Sequence, residues 1–279
     1  MPPEPHPDIT AAAMTAIREG LAQSPRRPFV LGICGAQGSG KSTLAEAIMR
    51  QCRGDGSAAA CLSLDDLYLT RAERQELAHD VHPLLATRGV PGTQDIALGL
   101  EVLAALEQGE AAALPRFDKS RDDRSPPQAW GHAPAGCAVL VLEGWCVDAI
   151  PQAEAALHEP VNRLEAEEDE AGVWRRHANA ALGGAYRQLF ARIDRLMLLA
   201  APHFEVVFNW RLGQEEALRA AAGPDAPGLM DATAIARFIQ HYERLTRHIL
   251  AEMPARADVV VRLGEDRAPL EIVQRSERG

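Results

Sequence analysis

The stretch that decides the fold is Gly35-Ala-Gln-Gly-Ser-Gly40-Lys41-Ser42, which fits the pattern G-x-x-x-x-G-K-[S/T]. The apolar run from Pro28 to Cys34 precedes it and predicts a buried strand. Apolar residues at helical spacing follow it from Lys41 to Cys52. The glycines let the backbone curl so that N–H groups face an anion, and the helix adds the positive end of its dipole. The sequence therefore predicts a phosphate-binding P-loop.

Within this loop the mechanism of the motif assigns individual roles. Lys41 is predicted to reach the β- and γ-phosphates and to act in catalysis, and the Ser42 hydroxyl is predicted to hold Mg²⁺. The residues predicted to bind the nucleotide are Gly35, Ala36, Gln37, Gly38, Ser39, Gly40, Lys41, Ser42 and Thr43.

Further strands and helices alternate along the chain. Apolar runs predict strands at Ala58–Leu64, Ala138–Leu142, Arg195–Ala200 and Ala257–Leu263; helical spacing predicts helices at residues 10–23, 95–106, 174–193 and 231–253. This order predicts an α/β fold of the P-loop NTPase type, an open, mostly parallel sheet of about five strands with helices on both faces. Residues 109–136 are predicted to form a long loop, and composition alone favours a solvated acidic segment at 151–172. We expect residues 1–24 to be an N-terminal extension, partly disordered or one short helix, and residues 25–279 to be a single kinase domain with acceptor-binding insertions.

Composition excludes several classes of protein. The net charge is −10 and no basic run offsets it, so we expect no nucleic-acid partner. No stretch approaches the ~18 apolar residues of a membrane span, and the start lacks the features of a signal peptide. The five cysteines are scattered, which argues against disulfides or a zinc site. We therefore expect a cytoplasmic protein with a frayed N-terminus, whose oligomeric state the sequence does not give.

A P-loop does not name the reaction, and other residues narrow it. The chain has no Asn/Thr-Lys-x-Asp motif of Ras-type GTPases. The third predicted strand runs into Glu143, whose carboxylate can bind Mg²⁺ directly or through water. The alternative is that Glu143 is only part of the scaffold. The second strand ends in Ser63-Leu-Asp65-Asp66-Leu-Tyr68, and ligands of open α/β sheets bind at such strand ends. Either Asp65 or Asp66 is a candidate to accept a hydroxyl proton, and the alternative is a capping pair.

Two loops are rich in residues that bind anions. One is Arg88 to Asp95 and the other is Leu114 to Arg124. Arginine forks match carboxylates and phosphates, so these loops predict a small anionic acceptor, with salt-bridged loop residues as the alternative. The residues assigned to the acceptor are Asp66, Tyr68, Arg88, Asp95, Arg116, Lys119 and Arg124.

From about Phe29 to Arg267 the chain resembles the D-glycerate 3-kinase family, a member of the phosphoribulokinase, uridine kinase and pantothenate kinase branch of P-loop kinases. The motifs that carry the resemblance are Gly35–Ser42, Ser63–Thr70, His82-Pro-Leu-Leu with Arg88–Asp95, Pro115–Ser120, Glu143-Gly-Trp145, Asn162-Arg-Leu-Glu165, Trp174-Arg175, Trp210-Arg211 with Gln214-Glu215, and Phe238–Thr246.

The resemblance implies ATP and Mg²⁺ as cofactors and transfer of the γ-phosphoryl group to the 3-hydroxyl of D-glycerate. By position it makes Asp65 the base, and Arg211 is a hypothetical arginine finger. Two residues depart from the family pattern: Gln94 stands where we expect His, and Asp148 where we expect Gly. Both bear on the identity of the acceptor, so a kinase for a different acceptor and an ATP-binding regulatory protein without catalysis stay open as alternatives.

Overall fold

A six-stranded sheet forms the centre of the computed structural model, which describes residues 5–23, 27–222 and 230–275. Its strands are β1 Phe29–Gly35, β2 Ala59–Ser63, β7 Val139–Gly144, β8 Arg195–Ala200, β9 Val259–Leu263 and β10 Pro269–Gln274. They lie in the order β10-β9-β8-β1-β7-β2, and all pair in parallel except β10, which is antiparallel to β9. The predicted mostly parallel sheet is confirmed, and β10 is an addition to the five predicted strands.

Helices cover both faces of this sheet. They are α1 Pro7–Gln23, α2 Lys41–Gly54, α3 Arg71–Asp80, α4 Ile96–Glu107, α5 Arg163–Glu168, α6 Val173–Gly183, α7 Ala185–Phe190, α8 Val206–Ala222 and α9 Ala232–Glu252. β1 alternates between the two faces: Leu31 packs with α1 and α2, whereas Val30 packs with α4, α7 and α9. Because both faces are buried, the central strands read as continuous apolar runs.

The N-terminal helix belongs to the core. Ile9, Met14 and Ile17 of α1 are buried against the sheet, and a Cβ on Gly20 would lie 2.1 Å from the Phe29 ring. The predicted division of the chain at residue 25 stays a prediction, and the first four residues, where fraying was expected, lie outside the described residues.

Two regions differ from the expectation. The predicted helix 174–193 is two helices, α6 and α7, because the consecutive glycines Gly183 and Gly184 interrupt it. The predicted long loop 109–136 contains two small antiparallel pairs, β3 Ala112–Leu114 with β6 Gly131–Ala133 and β4 Phe117–Asp118 with β5 Asp123–Arg124.

The acidic segment 151–172 is also less solvated than its composition indicates. Glu165 and Asp169 are 0% and 2% exposed, and they pair with the buried Arg244 and Arg175. Within the described ranges, no helix combines the length and apolar character that crossing a membrane requires.

Candidate active site

The phosphate-binding loop lies between β1 and α2, at the carboxyl edge of the sheet. Gly38 and Gly40 have φ angles of 80° and 90°, a left-handed conformation that favours glycine. A Cβ on Gly38 would lie 2.6 Å from the Trp210 Cβ, so α8 packs directly on the loop. Among the described residues, no side chain caps the N-terminus of α2. The first N–H groups of α2 are therefore free of a competing side-chain acceptor, as an anion site requires.

Ser42 and Glu143 meet beside this loop. The Ser42 hydroxyl donates to Glu143 Oε1 at 3.1 Å, and parallel pairing of β1 with β7 places the carboxylate there. The second oxygen, Glu143 Oε2, is buried without a hydrogen-bond partner among the described residues, as are Gln37 Oε1 and Ser39 Oγ of the loop. Buried polar atoms in folded proteins are nearly always paired, so three orphans at one place indicate a site for a ligand.

The donor set fits Mg²⁺. Magnesium prefers oxygen ligands and is usually held by one or two protein groups together with phosphates and water. Ser42 and Glu143 supply two such oxygens, and the described part of the chain has no cluster of three or more metal-binding His, Cys, Asp or Glu side chains. A cleft of about 450 Å³ opens beside them; its walls include Ser42, Ser63, Asp66, Arg116 and Glu143.

The two aspartates after β2 have different partners. Asp65 Oδ1 accepts a hydrogen bond from the Tyr68 hydroxyl at 2.8 Å, and Asp65 Oδ2 accepts one from Lys119 Nζ at 2.6 Å. Asp66 instead accepts bonds from the Phe117 N–H at 3.0 Å and from Arg116 Nη1 at 2.8 Å. Asp66 thereby holds β4 in place, whereas Asp65 faces the exposed end of Lys119.

The electrostatic surroundings separate them further. Burial alone would raise the pKa of Asp65, but the ammonium groups of Lys119 and Lys41 and the hydrogen bonds from Lys119 and Tyr68 lower it to about 2. Burial raises the pKa of Asp66, and Arg116 and the Phe117 N–H only partly offset it. Lys41 and Lys119 thus both favour the charged form of Asp65.

A short hairpin carries Lys119 to this position. β4 and β5 are joined by residues 119–122, and Asp122 has a φ of 54°. Its side chain pairs with Arg74 at 2.9 Å and with Arg88, and Arg74 is only 1% exposed. The Arg88 guanidinium lies 5.5 Å from the centre of the Phe117 ring, which contacts Tyr68 edge-on at 5.3 Å. Tyr68 and Lys119 therefore both bond to Asp65, and Arg88 lies beside them against the Phe117 ring.

Two aromatic side chains form hydrogen bonds to the backbone of the loop that carries Arg88. Trp145 donates from its indole N–H to the Gly89 carbonyl at 2.9 Å, and the Tyr242 hydroxyl donates to the Arg88 carbonyl at 3.2 Å. Gln94 is 5% exposed; its amide donates to the same Gly89 carbonyl at 3.1 Å and its oxygen accepts from Tyr186. Gln94, which stands where we expected His, therefore supports the Arg88 loop through buried hydrogen bonds.

Two other predicted acceptor residues bind each other. Arg124 donates to Asp95 Oδ2 at 3.0 Å and to the Tyr68 carbonyl at 3.1 Å, while Asp95 Oδ1 caps α4 by accepting from the Leu98 N–H. These contacts fit the alternative of salt-bridged loop residues. Together with the Arg116–Asp66 pair, they form the frame beneath the hairpin.

Arg211 follows Trp210 on α8, beside the P-loop. It pairs with Glu215, donates to Gln214 at 3.4 Å, and its guanidinium lies 5.8 Å from the Phe238 ring centre. Burial and the Asp65 carboxylate raise the pKa of Tyr242, and Arg88 and Arg211 oppose this. The charges of Arg211, Arg88 and Asp65 therefore all affect the pKa of the Tyr242 hydroxyl.

Asp148 occupies a position where glycine is the easier residue. Its φ is 58°, in the left-handed region that glycine adopts more easily, and its carboxylate and carbonyl both accept from Arg256. Sequence reasoning missed Arg74 and Asp122 altogether. Neither residue stands out in the sequence, because their role depends on contacts between segments about 50 residues apart.

Comparisons with known proteins agree with this geometry. The chain is 36% identical over 226 residues to the uncharacterized kinase mug58 of Schizosaccharomyces pombe, covering 77% of this chain and 79% of that protein. It is 27% identical over 259 residues to the chloroplastic D-glycerate 3-kinase of Arabidopsis thaliana, covering 87% of this chain and 54% of that protein. The structure of D-glycerate 3-kinase from Cryptococcus neoformans superposes with a TM-score of 0.79 at 23% identity, over 95% of this chain and 99% of that one, which shows the shared fold. No protein-family model matches the chain.

The fold, the phosphate-binding loop and these relatives define a small-molecule kinase of the P-loop class. The 36% identity over most of both chains establishes kinship by sequence. The chain belongs to the same kinase family as mug58, and the resemblance of its motifs to D-glycerate 3-kinases agrees with the relatives that carry that name.

Proposed function

We propose that the protein transfers the γ-phosphoryl group of ATP to the 3-hydroxyl of D-glycerate. The observation that carries this proposal is the position of Asp65, which both the P-loop Lys41 and the exposed Lys119 influence. A base between a phosphate site and a cationic surface suits a hydroxyl acceptor that carries its own anionic group. The names of the relatives from Arabidopsis and Cryptococcus support glycerate as that acceptor.

The residues would divide the work as follows. Lys41 and the N–H groups of the loop bind the phosphates. Ser42 and Glu143 would hold Mg²⁺, which would neutralise negative charge on the phosphates. Asp65 accepts the hydroxyl proton while the acceptor oxygen forms its bond to phosphorus, and the bond between phosphorus and the bridging oxygen breaks with its electron pair leaving on ADP.

The acceptor would lie on the cationic side of Asp65. Lys119, and Arg88 once it exchanges Asp122 for the acceptor, are the cations that can meet a carboxylate, and Tyr68 orients the base. Arg211 supplies charge near the P-loop once it exchanges Glu215 for a phosphate oxygen. We place Asp66, Asp95, Arg116 and Arg124 in the frame of the site, because each is bonded within it.

The test is an ADP-release assay with D-glycerate, ribulose 5-phosphate, uridine and pantothenate offered separately. D-Glycerate should stimulate release most. Asp65→Asn should lower kcat by about 10²–10⁴ while ATP binding is kept, the usual scale for a lost general base. Asp66→Asn is the matched control and should affect stability more than kcat. Near-normal kcat in Asp65→Asn would move the base to Asp66, and no stimulation by D-glycerate would refute the proposed acceptor.

The remaining expectations stay predictions. These are a cytoplasmic location, a single kinase domain from residue 25, and the absence of a nucleic-acid partner. One relative is chloroplastic by name, so the compartment is a separate question from the reaction.

A further inference from the structure

Both oxygens of the Asp65 carboxylate already have donors. Tyr68 occupies Oδ1 and Lys119 occupies Oδ2. Each oxygen can accept a further hydrogen bond, but a hydroxyl that gives its proton to Asp65 competes with the donor already on that oxygen. Tyr68 is 3% exposed and lies three residues away on the same segment, whereas the Lys119 side chain is 59% exposed at the tip of the hairpin. Lys119 is the donor that can leave.

The surroundings of Lys119 hold its backbone, while its side chain is mostly exposed and is bonded to Asp65 only at its end. The Asp118 carboxylate accepts from the Ser120 N–H at 2.9 Å and from the Ser120 hydroxyl at 2.6 Å, which fixes the turn. Asp122, at the other end of the turn, forms ion pairs with the buried Arg74 and with Arg88. A fixed turn with a long, exposed side chain is suited to exchanging one carboxylate partner for another.

We propose that Lys119 is a specificity-determining residue that masks the base Asp65 until a carboxylate on the acceptor draws its ammonium away. The exchange frees Asp65 Oδ2 to receive the hydroxyl. It also removes a cation that lowers the basicity of Asp65, so the same movement exposes the base and strengthens it. This inference rests on the proposed kinase function and adds why the acceptor must be an acid.

Masking also has a consequence when water is the only hydroxyl present. In that reaction a water proton would pass to Asp65, the water oxygen would bond to the γ-phosphorus, and ADP would leave with the electron pair of the broken bond. Lys119 on Oδ2 opposes this hydrolysis, because water brings no carboxylate to displace it. Masking of Asp65 by Lys119 therefore favours phosphoryl transfer to an acid over hydrolysis of ATP.

Lys119→Met tests the proposal through two readouts. ATP hydrolysis without any acceptor should rise about tenfold, the lower end of the effect expected for one hydrogen bond between charged groups. The ratio of kcat/KM for D-glycerate to that for glycerol, which lacks the carboxylate, should fall about 10- to 100-fold, with the glycerol reaction itself faster. Arg121→Met, which removes an equal charge from the same turn, should change neither readout, and an unchanged KM for ATP shows that the fold is kept.

Each other outcome overturns the proposal. Equal losses with both acceptors mean that Lys119 is structural, and no change means that it is a surface ion pair. A slower glycerate reaction with unchanged glycerol turnover and unchanged hydrolysis means that Lys119 binds the acceptor without masking the base. If the wild-type protein does not phosphorylate D-glycerate, the proposed function fails, but the hydrolysis readout still decides the role of Lys119.

Discussion

Gly89→Ala is the substitution that most directly probes the loop carrying Arg88. Gly89 has a φ of 140°, and a Cβ there would lie 2.2 Å from the Tyr242 hydroxyl oxygen and 2.6 Å from its Cζ. Tyr242 has no room to retreat, because it is 3% exposed and its ring packs against Trp145 at 4.9 Å and Phe238 at 5.1 Å. The loop itself must shift, and Arg88 shifts with it.

The magnitude has two parts. A non-glycine residue in such a rarely populated backbone region costs about 1–3 kcal/mol. Forcing an extra methyl group into packed surroundings costs about 1–3 kcal/mol more. We therefore expect Gly89→Ala to lower the free energy of unfolding by about 2–6 kcal/mol.

Gly109→Ala is the matched control. Gly109 also has a positive φ, 78°, but within the described residues nothing lies within 4 Å of its Cβ position. This variant should lose only the conformational cost of about 1–2 kcal/mol. The difference between the two variants therefore isolates the overlap with Tyr242.

Urea unfolding and steady-state kinetics together read out the result. If the loop moves outward, the KM for the acceptor should rise about tenfold or more, since one hydrogen bond to a charged group is worth that much, while the KM for ATP stays constant. The reasoning is refuted if Gly89→Ala is no less stable than Gly109→Ala and has an unchanged acceptor KM.

The remaining predictions concern the metal and the buried histidine. Glu143→Gln should raise the Mg²⁺ concentration for half-maximal activity about tenfold or more, because it removes the charge from the orphaned Oε2; a Mg²⁺ titration measures this, and an unchanged midpoint contradicts the assignment. Burial lowers the pKa of His241 from 6.5 to about 4, so below pH 6.5 the unfolded chain binds a proton that the folded chain does not. The stability from neutral His241 is complete above pH 6.5 and is lost as the pH falls toward 4, by about 3 kcal/mol in all. His241→Gln should flatten the dependence of urea stability on pH in that window, and an equally steep variant would show that other groups cause it.

The parts of the fold that could be predicted are those fixed by local pattern. The P-loop is a local motif, and the central strands are apolar because both of their faces are covered. β10 was not predicted because it is a half-exposed edge strand, with Leu270 72% exposed. The β4–β5 hairpin was not predicted because its strands are two residues each and are held by Arg74 and Arg88 from distant segments.

The candidate site also has features that the sequence predicts and features that depend on distant contacts. The sequence alone shows that two neighbouring carboxylates, Asp65 and Asp66, follow β2. Which of them pairs with Lys119 depends on where the hairpin lies, because the Phe117 N–H and Arg116 bond to Asp66 and leave Asp65 to Lys119. Composition likewise gives a count of basic loop residues but not their partners, so it does not separate Arg124, bonded to Asp95, from Lys119.

The acidic segment shows why charge is a poor guide to burial when a partner is distant in sequence. Arg244 donates to both oxygens of Glu165 and to the carbonyls of Ala156 and Glu159. A buried pair is tolerated only when hydrogen bonds satisfy it this completely, and removing one partner leaves an uncompensated charge that costs about 3–5 kcal/mol. The arginine lies on α9, two residues from Tyr242, which supports the Arg88 carbonyl. The charged residues that composition assigns to solvent therefore help to hold the helix on which the acceptor loop rests.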